Sequence, residues 1–287
     1  MRDQSSDMVW CNGEIIPVDR ALSAADRGFL LADGAFETMR VGKEGPVQWR
    51  LHRERLAHGL QVLGIHYRQL PEIPSFIGAL GERLGLKTSA NVARVTISRG
   101  VGERGVLPKG LSDPTCVISL AGCPALSSNV KNVIVWRGGK IYPSRYRGFK
   151  CLSSYTEHVA ASRAAKNKAA DDAMLLNHNG SLVCTTSANL IVVNADGDAT
   201  TPRLADGALP GVCRTLFLEE SLLTEKSISV DDLGGCVLLS VNVVRGPERL
   251  NVIEEGATSS DWDAATAQQL EAYKRLRNCY TTNFGLV

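Results

Sequence analysis

Several short stretches carry side chains whose types and spacing could do chemistry: "GFKCLSSY", "LPGVCR", "HRERL", "SRGVGERG" and "SLVCTTSANL". In the first, Lys150 stands between Phe149 and Cys151-Leu152, and these neighbours predict partial burial. Burial drives an ammonium toward the neutral amine, the form that attacks a carbonyl. A solvated lysine is the ordinary alternative. In "LPGVCR" a loop feeds a predicted helix, so backbone N–H groups after Gly211 would face an anion, although many helices begin with Pro-Gly. Arg55 lies on a predicted helix beside apolar positions, where its planar fork would suit a phosphate unless it simply faces water. Arg99 and Arg104 sit on a glycine-rich loop, read as flexible. Two arginines there would suit a substrate that bears a carboxylate, and a solvated turn is the alternative. The last stretch runs Cys184-Thr185-Thr186-Ser187-Ala188-Asn189, small polar residues between two apolar runs. Such residues pack poorly, which raises the question of what they hold.

Other chemistries lack their residues. The five histidines have no metal-site spacing, and there is no G-x-S-x-G elbow, no Walker motif and no G-x-G-x-x-G after a strand. No metal is expected. A net charge of +2 over 287 residues gives no electrostatic case for a nucleic-acid or membrane partner. No apolar run reaches the roughly 18 residues of a membrane span, and the first residues lack the apolar core of a secretory signal. The eight cysteines form no C-x-x-C pair and read as free thiols of a reducing cytoplasm.

The elements that must position these residues are mixed. "MVWCNGEIIPV" predicts a hairpin turning at Asn12-Gly13, and "GAFETMRVGKEGPVQWR" a second around Gly42 to Gly45. Leu51, Leu56, Leu60 and Leu63 recur at helical spacing, with Gly64 near the end, and "PEIPSFIGALGERLGL" reads as another helix. "VARVTISRG" and "PTCVISLAG" alternate as strands. After a break at "CPALSSNVKN" come the strand "VIVWRGG", a hairpin turning at Asn179-Gly180 and another at Asp196-Gly197. Helices are predicted at "SYTEHVAASRAAKNKA", where Ser154 and Glu157 have capping-box spacing, and at "PGVCRTLFLEESLL". The absence of a regular βαβ rhythm argues for an α+β chain of two domains.

In order and spacing, "DRGFLLADGAFETMR", "HRERL", "VTISRGVGERG", "GFKCLSSY", "DDAMLLNHNGSLVCTTSANL" and "LPGVCR" resemble the fold type IV pyridoxal-phosphate enzymes, the class IV aminotransferases. The resemblance runs from about residue 8 to residue 245. It implies a D-amino-acid-aminotransferase-like fold. Residues 1–122 would form a small N-terminal α/β domain, 123–130 a linker and 131–287 a larger C-terminal domain. Pyridoxal 5'-phosphate would lie between the domains, in a homodimer. Lys150 would hold the cofactor and act as base. Arg55 would grip its phosphate with Gly211 and the N–H groups of Val212 and Cys213. Tyr155 would meet the ring hydroxyl. Thr185, Thr186 and Ser187 would offer hydroxyls and N–H groups near ring and phosphate, and Ser240 and Asn242 a further phosphate contact. Phe36, Thr38, Arg99 and Arg104 would face the substrate.

Within the family, "DRGFLLADGAFET" and "SRGVGERG" look most like the 4-amino-4-deoxychorismate lyase branch. One departure bears on the reaction. The family's motif E-x-x-x-x-N starts here with Cys184, where the family's glutamate would keep the cofactor's pyridine nitrogen protonated. A neutral thiol leaves that nitrogen largely unprotonated, whereas a thiolate would need a lowered pKa. The ring is then a poorer electron sink. Transamination suffers more than an elimination whose leaving group departs early. The expectation is a lyase that releases pyruvate and 4-aminobenzoate. The alternatives are an aminotransferase of D-amino or branched-chain acids, or a protein that keeps the fold without turnover.

Overall fold

Asn12 and Gly13 both take positive φ, 46° and 104°, which is the turn a two-residue hairpin requires. They join β1 (Met8–Cys11) to β2 (Glu14–Pro17), with Cys11 paired to Glu14. The computed structural model describes residues 7–86, 91–103, 105–108, 113–253 and 262–285. By its contacts the chain divides into two units, residues 1–124 with 148–154, and residues 125–147 with 155–287.

The first unit continues with a short helix α1 (Arg27–Leu31), then β3 (Gly34–Gly42), β4 (Gly45–Pro46), α2 (Trp49–Leu63), α3 (Ile73–Arg83), β5 (Asn91–Ser98) and β6 (Thr115–Gly122). Its strands form one sheet in the order β2-β1-β6-β5-β3-β4, every pairing antiparallel. Leu56 and Leu60 of α2 and Ile73, Ile77 and Leu80 of α3 share one core with Met39, Val95, Ile97 and Ile118 of the sheet, and Leu51 of α2 is also buried. The helical leucine spacing thus marks the face that covers the sheet. Gly64 ends α2 at a φ of 64°, a conformation that favours glycine.

The segment 148–154, which carries Lys150, belongs to this first unit. It is stitched to β3 by a bridge between Ala35 and Cys151 and by the Phe36 N–H, which donates to the Lys150 carbonyl at 3.0 Å. Phe149 lies against Gly59 of α2, where an added Cβ would come within 2.5 Å of the Phe149 ring. Gly59→Ala is therefore expected to push Phe149 and the lysine backbone out of place and to lower stability by about 1–3 kcal/mol, as measured by denaturant unfolding.

The second unit comprises β7 (Lys131–Ile141), α4 (Thr156–Asn167), β8 (Asp172–Asn177), β9 (Leu182–Thr185), β10 (Asn189–Val193), β11 (Ala199–Thr201), α5 (Val212–Glu219), β12 (Thr224–Glu225), β13 (Val237–Asn242), β14 (Gly246–Val252) and α6 (Ala267–Asn283). The sheet order is β12-β11-β10-β13-β14-β7-β8-β9, and a pairing of β9 with β10 closes part of it into a ring. That closing pair is Cys184 with Asn189, and the intervening turn is held by the Thr185 N–H donating to the Ala188 carbonyl at 2.9 Å. Both expected hairpins of this half are present, as β8–β9 and β10–β11.

Two details differ from the sequence reading. The helix α4 starts from Tyr155 without a side-chain cap, so Ser154 and Glu157 do not form a capping box. A 3₁₀ turn over Leu152–Tyr155 occupies that position instead. A capping box is formed instead by Thr266 with Gln269, at the head of α6.

Candidate active site

In the first unit the functional groups gather where β3 meets α2 and the 148–154 segment. Lys150 is half-buried, flanked by the buried Phe149 and Cys151. Its Nζ lies 5.1 Å from the ring centre of Phe36, and the guanidinium carbon of Arg94 lies 3.8 Å from the same centre. Burial and the neighbouring Arg55 push the Lys150 ammonium down to about 8, with Arg94 adding to the fall and Glu37 opposing it. A lysine so placed supplies neutral amine near physiological pH.

Arg55 projects from the buried face of α2 onto Glu37 of β3. Its Nε and Nη2 donate to the two carboxylate oxygens, each at 2.7 Å. His52, one turn earlier on α2, adds its Nδ1 to the same carboxylate at 2.7 Å. Burial would raise the Glu37 carboxyl, but Arg55 and then His52 outweigh it and hold the group down at about 2. Burial likewise lowers His52 and keeps it neutral. Glu37 was legible as a charge inside the apolar run "GAFETM", and such a charge demands buried partners. Arg94 was also missed. It pairs with Thr38 across β3 and β5, and it stands at an exposed position of the alternating run "VARVTIS".

The loop arginines behave differently from the expectation. Arg99 is buried and donates from Nε and Nη2 to Asp33, at 2.6 and 3.0 Å, and from its Nη groups to the carbonyls of Gly64 and Leu63, at 3.0 and 2.6 Å. It is a strap between the end of α2 and the chain before β3, not a side chain on a flexible loop reaching for substrate. Four of its donors are already engaged, so no fork remains for a carboxylate. Arg104 lies outside the described residues.

The second unit presents the run from Cys184 to Asn189. Cys184 is buried, and burial pushes its thiol up to about 11, with Arg147 pulling down and Asp172 pushing up. The thiol is therefore neutral at physiological pH. Thr186 is fixed by Asp172, to which its N–H and hydroxyl donate at 3.1 and 2.5 Å. The Nδ1 of His158 donates to the Thr186 carbonyl at 3.0 Å. Thr185 is fully buried, and its hydroxyl has no hydrogen-bond partner among the described residues. Ser187 is exposed, with its carbonyl 3.4 Å from the Asn242 amide nitrogen. Ser240 is buried on β13, opposite Leu190.

Asn189 explains its own place in the motif. Its amide donates to the Leu209 carbonyl at 2.8 Å, which anchors the "LPG" turn before α5. Gly211 caps α5 without a side-chain hydrogen bond, and a Cβ there would fall 1.9 Å from the Asn189 Oδ1. Val212 and Cys213 begin the helix, so their N–H groups lie at its positive end. Tyr155 is half-buried at the head of α4, its ring 5.2 Å from that of His158. Among the described residues no cluster of three or more His, Cys, Asp or Glu could hold a metal ion.

Residues 34–241 match the family Amino-transferase class IV. The aminodeoxychorismate lyase of Vibrio harveyi is 29% identical over 248 residues, covering 83% of this chain and 86% of that protein. A probable branched-chain-amino-acid aminotransferase of Rickettsia bellii is 26% identical over 215 residues, covering 74% of this chain and 73% of that protein. The structure of the Escherichia coli branched-chain amino acid aminotransferase superposes with a TM-score of 0.83 over 97% of this chain and 96% of that chain, at 18% identity, which identifies the fold. The chain belongs to the class IV aminotransferase family, and is a two-domain α+β pyridoxal-phosphate enzyme of fold type IV.

Proposed function

We propose that this enzyme is a 4-amino-4-deoxychorismate lyase, which converts its substrate to 4-aminobenzoate and pyruvate. The observation that carries the reading is Cys184, a buried neutral thiol where the family has a glutamate. The likeness to the Vibrio harveyi lyase supports it. A second reading, an aminotransferase of branched-chain or D-amino acids, draws support from the Rickettsia bellii relative.

The residues fit the cofactor. Lys150 offers an amine held down at about 8, the Thr185 hydroxyl is a buried polar atom without a partner among the described residues, and α5 offers an N-terminus capped only by glycine. Bound pyridoxal phosphate supplies the aldehyde that captures the substrate amine and a ring that withdraws electrons from the carbon bearing it. Lys150 would hold the cofactor, and its neutral amine would take the proton from C4 of the substrate. The C3–O bond breaks, enolpyruvate departs, and its protonation gives pyruvate while the ring becomes aromatic. Cys184, with Arg147 beside it, would be the partner of the ring nitrogen and offers no carboxylate to hold a proton there. The backbone N–H groups of Val212 and Cys213 would bind the phosphate, with Arg55, Ser240 and Asn242 as its proposed further partners. Tyr155 would meet the ring hydroxyl. Phe36, Thr38 and Arg94 bound the substrate, with the Arg94 guanidinium, rather than Arg99, turned to its carboxylate.

The working form is a cytoplasmic homodimer. The apolar side chains of Phe29, Leu30, Leu31, Val101, Val106 and Leu107 are exposed on the first unit, and this supports association with a second copy. No helix among the described residues is long and apolar enough to cross a membrane. The test of the reaction is product analysis without any 2-oxo acid. The native protein is expected to form 4-aminobenzoate from 4-amino-4-deoxychorismate, and a strict need for an acceptor acid would overturn the lyase reading.

A further inference from the structure

Glu37 and His52 are both at 0% exposure, and Arg55 is at 8%. The carboxylate receives Nε and Nη2 of Arg55 and Nδ1 of His52, each at 2.7 Å. An ionised carboxylate only accepts, so His52 donates from Nδ1 and carries its lone pair on Nε2. That Nε2 is buried and has no hydrogen-bond partner among the described residues. Mere core filling does not call for such a set, because well-packed apolar side chains replace a buried ion pair at little or no cost. The strand that carries Glu37 also carries the lysine segment: Phe36, its immediate neighbour, donates its N–H to the Lys150 carbonyl at 3.0 Å. The carboxylate and the amine are thus mounted on adjoining pieces of one frame.

We propose that Glu37 is a positioning residue, whose ionised carboxylate fixes the guanidinium of Arg55 and gives the Lys150 amine its anionic neighbour. The inference rests on the reading of Lys150 as the amine that holds the cofactor. The charged and titratable groups around that amine are Glu37 from β3, His52 and Arg55 from α2, and Arg94 from β5. His52 is neutral, so Glu37 is the anion among them. Without it the ammonium faces only positive neighbours. The amine form then persists to lower pH, and Arg55 loses both of its hydrogen bonds to that carboxylate.

The experiment uses the full chain freed of cofactor. Uptake of added pyridoxal phosphate is followed by absorbance and by the mass of the borohydride-fixed adduct, across a pH series. For the native protein the half-maximal rate is expected at about 8. Glu37→Gln, which keeps the shape and removes the charge, is expected to move that midpoint down by roughly one pH unit, with Glu37→Asp between the two. A purely structural role would change the melting temperature and leave the midpoint alone. An unchanged midpoint in Glu37→Gln, with the adduct intact, overturns the role of Glu37 and leaves the lysine reading standing. A reducible adduct that survives Lys150→Ala overturns both. A second measurement needs no variant at Glu37. Histidine ¹⁵N spectra of the native protein should show His52 remaining in the neutral Nδ1–H form below the pH at which an ordinary histidine takes up its proton, and an ordinary titration near 6.5 would overturn the proposal.

Discussion

Lys150→Ala is expected to abolish the borohydride-reducible cofactor adduct and to cut turnover by roughly 10²–10⁴-fold, the usual contribution of a positioned general base. The fold should survive the change. The contacts that hold the lysine segment are made by backbone, the Phe36 N–H on the Lys150 carbonyl and the Ala35–Cys151 bridge, together with the Phe149 ring on Gly59. None of them uses the lysine side chain. The side chain is itself a cost to the cofactor-free protein. Its ammonium is held at about 8, against an ordinary 10.5, so between those values the unfolded chain binds the extra proton. Stability therefore rises with pH across that window, and the cost of the buried charge is fully present below it. Lys150→Ala is thus expected to melt no lower than the native protein at neutral pH. Circular dichroism and an absorbance scan of the same sample separate the two effects. Lost activity with a lost fold would mean that the lysine is structural.

Cys184→Glu is expected to raise amine exchange between D-alanine or L-leucine and 2-oxoglutarate by at least about tenfold, which corresponds to about 1.4 kcal/mol of barrier. The native thiol is neutral because burial holds it at about 11 despite the nearby Arg147. A carboxylate in the same place has a far lower intrinsic pKa, and Arg147 favours its ionised form. It would hold a proton on the ring nitrogen, which deepens the electron sink that exchange needs. Elimination depends less on that sink, because departure of the β-group drains the same electrons. Release of pyruvate is therefore expected to change less than amine exchange. Stopped-flow spectra of the cofactor with each amino acid measure the exchange half-reaction. No gain in exchange would show that Cys184 does not govern the ring.

Much of this arrangement could be read from local sequence. Asn12-Gly13, Asn179-Gly180 and Asp196-Gly197 announced their hairpins because the required backbone is written into those residue types. The leucine spacing of α2 identified the face that covers the sheet. The parts that were not legible depend on partners distant in the chain. Arg99 looked like a loop arginine because its neighbours are glycines, and only the fold brings Asp33, Leu63 and Gly64 to it. Glu37 and His52 are separated by 15 residues, and nothing local joins them. The helix α6 was missed for another reason. Its buried face includes Gln269 and Tyr280, polar residues satisfied by the carbonyls of Val193, Gly235 and Val243, so its apolar periodicity is weak. The Ser154–Glu157 spacing misled because the chain there first makes a 3₁₀ turn, which leaves Tyr155 at the cap.

Cys184 is the residue on which the proposed lyase reading turns, so the decisive measurement is on the native enzyme. Given 4-amino-4-deoxychorismate alone, it should release pyruvate and 4-aminobenzoate in equal amounts over many turnovers, with the cofactor spectrum unchanged at the end. Conversion of the cofactor to its amine form, with no pyruvate released, would contradict the account.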